Sequence, residues 1–133
     1  KPYAKGDLLL VDGGGNDAAD LTGAFLNVPA DGGLAYRTLL VSLLPATTVD
    51  PLLAQGQAGA AQAGGAYMMA LANKMYDAVK TQALDKGAKN VVVLNMPGIT
   101  NTPRFQGVLA LVAAANGGGT AGAHSGCPKR WKP

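Results

Sequence analysis

Four consecutive apolar residues, Leu8-Leu9-Leu10-Val11, run directly into Asp12-Gly13-Gly14-Gly15-Asn16-Asp17. An uninterrupted apolar run bounded by Asp and Gly predicts a short strand covered on both faces, as in a parallel sheet with helices on each side. Three glycines then let the backbone turn sharply and approach a ligand closely. In such sheets ligands bind at the carboxyl ends of the strands. The side chains delivered there are the Asn16 amide and the Asp17 carboxylate.

A second strand is expected at Val91-Val92-Val93-Leu94, where a β-branched run suits a sheet interior. Before it, Met68, Leu71, Ala72, Met75, Val79 and Ala83 recur at three- and four-residue steps, predicting a helix over residues 66–86. The methionines read as core packing. Gly87 is placed to end that helix in a left-handed conformation. Strand, helix and strand in this order make a parallel crossover.

The remaining segments read less sharply. Residues 18–27 are weakly helical, and Val28-Pro29-Ala30-Asp31-Gly32-Gly33 is a turn signal. Residues 34–44 predict a short helix stopped by Pro45, and Thr48 or Asp50 caps another with Pro51 at its first position. The Ala, Gly and Gln tract from Gln55 to Gly65 reads as a flexible surface excursion. Thr102 caps a last helix that has Pro103 at its first position and runs to Ala115.

Gly14-x-Asn16-Asp17 after a strand resembles the third signature block of the SGNH (GDSL) esterase and lipase family. The stretch Val91-Val92-Val93-Leu94-Asn95-Met96-Pro97-Gly98-Ile99-Thr100-Asn101-Thr102-Pro103-Arg104-Phe105 is similar to the strand and loop that follow in bacterial members. The likeness covers residues 5 to 115. It implies an α/β fold, a three-layer sandwich with a parallel sheet flanked by helices (SGNH-hydrolase or flavodoxin-like). It also implies a carboxylic-ester hydrolase, an esterase or lipase, acting on a small ester or lipid.

By that resemblance Asn16 is an oxyanion-hole donor supported by Gly14 and Asp17, and Met96, Pro97 and Ile99 lie on the substrate side. No cofactor is implied, and a secreted or cell-surface location is. The family's Gly-Asp-Ser nucleophile block and Asp-x-x-His base block do not occur in these residues. The expectation is therefore an incomplete domain over residues 1–119, followed by an irregular, flexible tail over 120–133. Its partner would be the missing remainder of the domain or another copy, through open sheet edges.

The residues leave two other readings of the loop open. Gly13-x-Gly15-x-x-Ala18 fits a dinucleotide fingerprint, although Asp17 would set a negative charge beside the pyrophosphate. Gly-rich turns with Asn and Asp are also ordinary turn chemistry, which would make the chain a non-catalytic fragment.

Serine and histidine are scarce enough to inspect singly. Ser42 lies in Leu39-Leu40-Val41-Ser42-Leu43-Leu44 with no Gly-Asp before it, and His124 and Ser125 are neighbours in the Gly-rich tail. Adjacent residues there have no scaffold to hold a nucleophile against its base.

The net charge of +3 comes from Lys129, Arg130 and Lys132, so the body is neutral and no basic face for nucleic acid is expected. Cys127 is the single cysteine and no metal site is expected. No apolar run reaches the roughly 18–20 residues needed to span a bilayer.

Overall fold

The structure is a computed structural model that describes residues 3–94 and 102–115. The chain divides into two units, residues 1–96 and 97–133. In the first, β1 (Leu8–Val11) leads into α1 (Gly15–Leu26), α2 (Val28–Asp31), α3 (Leu34–Val41), α4 (Ala46–Leu53) and α5 (Gln57–Gln82). A 3₁₀ turn over Leu84–Lys86 then precedes β2 (Asn90–Val93). The described part of the second unit is α6 (Pro103–Ala115).

The hydrophobic core lies among the helices. Leu21 from α1, Tyr36 and Leu40 from α3, Val49 from α4, and Ala63 and Tyr67 from α5 form one buried cluster. Leu40 and Val49 have no exposed surface. Burying a side chain of this size contributes about 1.5–3 kcal/mol. Tyr36 and Leu40 stand four residues apart, one helical turn, and therefore face the core together.

Glycine and aspartate fix the path between helices. Gly32 and Gly33 adopt φ of 66° and 84°, in the left-handed region that side chains with a Cβ avoid. The Asp31 carboxylate accepts from the backbone N–H of Gly33 at 2.8 Å and of Ala35 at 3.0 Å, satisfying donors at the start of α3. Those bonds favour the charged form and hold the Asp31 carboxyl below its ordinary pKa. The Arg37 guanidinium grips Asp50 at 2.7 and 3.0 Å, joining α3 to α4 across the surface.

The expected three-layer α/β sandwich is not what forms. Among the described residues the fold is mostly helical, and the sheet consists of two parallel strands in the order β1-β2. The register pairs Leu8 with Asn90, Leu9 with Val91, Leu10 with Val92 and Val11 with Val93. Nor are the strands covered on both faces: Leu8 and Leu10 are each 61% exposed, and Val92, Val93 and Leu94 are exposed as well. The physical reason is that only these two segments are apolar runs short enough for strands. The chain between them is rich in Ala and Leu, which lose little rotamer freedom in a helix.

Helix boundaries differ from the sequence reading in several places: Val28–Asp31, within the expected turn, is the short helix α2, and the helix expected over 66–86 ends at Gln82. The tract 55–65 is not a flexible excursion, because α5 starts at Gln57 and buries Gly59, Ala63 and Gly64. Small residues there allow close approach: a Cβ on Gly59 would collide with the Leu52 carbonyl. Pro51 sits inside α4 rather than at its first position, because Pro45 is the N-cap and accepts from Thr48 and Val49. Pro51 is exposed, so the helix bond that it cannot make faces water.

Other signals hold. Gly87, at φ 94°, ends the 3₁₀ turn that follows α5, with Ala88 N–H donating to Ala83 O at 3.0 Å across it. Thr102 opens α6, where its carbonyl accepts from Gln106 at 2.9 Å and its hydroxyl from Phe105 at 3.4 Å. The expected tail over 120–133 lies outside the described residues.

Candidate functional site

The loop between β1 and α1 is built by one backbone angle. Gly14 is the N-cap of α1 with φ 88° and ψ −14°, a left-handed conformation that turns the chain straight from strand into helix. Asn16 and Asp17 consequently lie in the first turn of α1 rather than in an extended loop. Ala18 N–H donates back to Gly14 O at 2.9 Å, closing the first helical bond. No side chain caps this end, so the leading N–H groups of α1 point past the strand end without a side-chain acceptor. The Asp17 carboxylate in the first turn complements the helix dipole.

Asn16 is exposed, and its amide has no hydrogen-bond partner among the described residues. Gly13 lies against α5, where a Cβ would meet Met75 Cε at 3.8 Å. Gly13, Gly14, Asn16 and Asp17 therefore form one short segment at the end of β1, backed by the long helix. Met96, Pro97 and Ile99 lie outside the described residues, as do His124 and Ser125. Ser42 is elsewhere: it follows α3, and its hydroxyl donates to Leu39 O at 2.6 Å. That bond ties the oxygen to its own helix end.

A feature that the sequence reading misses is an open apolar groove of about 280 Å³ lined by Leu21, Thr22 and Phe25 of α1, Tyr36 of α3, and Ala61, Gly64, Gly65 and Met68 of α5. The Tyr36 ring meets Phe25 edge-on at a centroid distance of 5.4 Å. Burial pushes the Tyr36 hydroxyl above its ordinary pKa, so it stays a neutral donor. The small residues of the Gln55–Gly65 tract are the available signal, because two helices can leave a groove only where one of them lacks bulk.

The groove is not continuous with the glycine loop. At about 100° per residue, the five steps from Asn16 to Leu21 turn α1 by about 140°, and the nine to Phe25 by about 180°. The two features face different sides of the helix.

Among the described residues no three His, Cys, Asp or Glu side chains gather where they could hold a metal ion, and no helix is long and apolar enough to cross a membrane. Compared with protein-family models, with curated proteins and with solved structures, the chain matches none.

Proposed function

We propose that this chain carries the oxyanion-binding loop of an SGNH-type carboxylic-ester hydrolase acting on a small ester or lipid, with Asn16 as the donor. The observation that supports the reading is the placement of Asn16: a glycine in the left-handed conformation at the end of a parallel strand sets an unpaired amide on the first helical turn. When a nucleophile adds to an ester carbonyl, the carbonyl oxygen becomes negative. A fixed amide donor aimed at that oxygen stabilises the transition state more than the ground state. The open N–H groups at the start of α1 favour negative charge in the same place.

The nucleophile and its base are contributed in this chemistry by Gly-Asp-Ser and Asp-x-x-His blocks. The experiment is a chimaera in which residues 5–115 replace the corresponding segment of an SGNH esterase that retains its own two blocks. The expected result is hydrolysis of p-nitrophenyl acetate above background, with Asn16→Ala lowering kcat by about 10²–10³ at little change in KM. A folded chimaera that is inactive, or whose turnover ignores Asn16→Ala, overturns the reading.

A further inference from the structure

We propose that the free edge of β2 is a self-association surface, pairing antiparallel with the β2 edge of a second copy to build one sheet in the order β1-β2-β2-β1. The sheet has two strands, and neither outer edge has a partner strand among the described residues. Neither strand carries the Lys, Pro or bulge with which exposed edges are ordinarily blunted.

Backbone alternation decides which groups the β2 edge presents. Leu94 N–H donates to Val11 O at 2.8 Å. In a parallel ladder successive residues turn their N–H and C=O to opposite sides, so Val92 and Leu94 face β1 while Val91 and Val93 face outward. An antiparallel pairing centred on Val92 then sets Val91 opposite Val93 of the second copy, and the reverse. Each of these pairs exchanges both of its N–H···O bonds, and Val92 meets Val92 of the second copy at a position without them.

Charge selects this edge over the other. From Asn90 to Leu94 there is no charged residue, whereas β1 is bracketed by Asp7 and Asp12. A second copy on the β1 edge would set four carboxylates, two from each chain, along one seam, whereas the β2 edge brings only Lys89 at its start. Apolar surface gains as well. Val92, exposed in the single chain on the same face as Leu8 and Leu10, meets Val92 of the second copy across the seam, and that cross-strand contact covers part of both side chains. The two-fold operation closes the assembly at two copies.

The test is sedimentation of residues 1–133 over a concentration series, together with hydrogen exchange. A species of twice 13.3 kDa should grow with concentration. The Val91 and Val93 amides should gain protection in step with it, while that of Val92, already turned to β1, should not. Val92→Lys sets like charges face to face and should give monomer at the same concentration, as should Val92→Asp. Mixing the two variants should restore the dimer, and Leu10→Lys on β1 should leave it intact. Monomer at about 200 µM, growth beyond two copies, or protection confined to other amides overturns the proposal.

Discussion

The Tyr36 hydroxyl donates to the Ala60 carbonyl at 2.8 Å, from a side chain that is only 2% exposed. This bond stitches α3 to α5 across the core, and it also fixes what residue 64 can be, because a Cβ on Gly64 would stand 2.5 Å from the same hydroxyl oxygen. A buried phenol needs a partner for its O–H, and here the partner is reached only because the next helical turn of α5 has no side chain.

Tyr36→Phe should lower stability by about 1 kcal/mol, the usual net worth of such a bond. Urea unfolding checks this: the midpoint should fall with an unchanged slope, since the buried surface is almost the same.

The glycines of α5 should respond to alanine in opposite directions. A Cβ added at Gly65 would meet nothing within 4 Å, so Gly65→Ala should stabilise by about 0.5–1 kcal/mol through helix propensity. Gly64→Ala should destabilise by about 1–3 kcal/mol, and by less in the Tyr36→Phe background, where the clashing oxygen is gone. Gly59→Ala should be the most damaging of the three, because its Cβ meets the Leu52 backbone carbonyl, which cannot swing aside. Thermal melts of the single and double variants rank them.

Asp31 should make stability depend on acidity. Its folded pKa is held below the ordinary value of 3.8 by the N–H groups of Ala35 and Gly33, so the stabilisation is present above that value. It fades as pH falls below it and through the folded pKa. Asp31→Asn should flatten this part of the curve of unfolding free energy against pH, and an unchanged slope in the variant would refute the assignment.

Ser42 should be inert as a nucleophile. Its hydroxyl is committed to the Leu39 carbonyl, with no base in reach among the described residues. A fluorophosphonate probe should leave Ser42 unlabelled in mass spectra of the digested chain, and Ser42→Ala should change no ester hydrolysis that the protein shows.

Local signals are legible where a residue acts through its own backbone or its immediate neighbours. Leu8 to Val11 and Val91 to Val93 announce strands, Gly87 a left-handed stop, and Thr102-Pro103 a helix start, and all of these form. Asn16 and Asp17 do follow the first strand, although nothing in the sequence shows that α1 begins beneath them. Pro51 misleads because a proline at a first helical turn and an exposed proline inside a helix leave the same mark on the sequence.

What the sequence determines by itself, then, is the identity of most elements, because glycine, proline and hydrophobic spacing act within a few residues of the chain. Tertiary structure alone decides the depth of the sheet and the fate of the Gln55–Gly65 tract. Apolar character states that a strand prefers cover but not whether another element arrives to supply it, so Leu8 and Leu10 remain exposed. Small residues read as flexible until a neighbour packs on them, and Leu52, Tyr36 and Leu21, contributed by three other helices, leave Gly59 and Gly64 no free room for a Cβ.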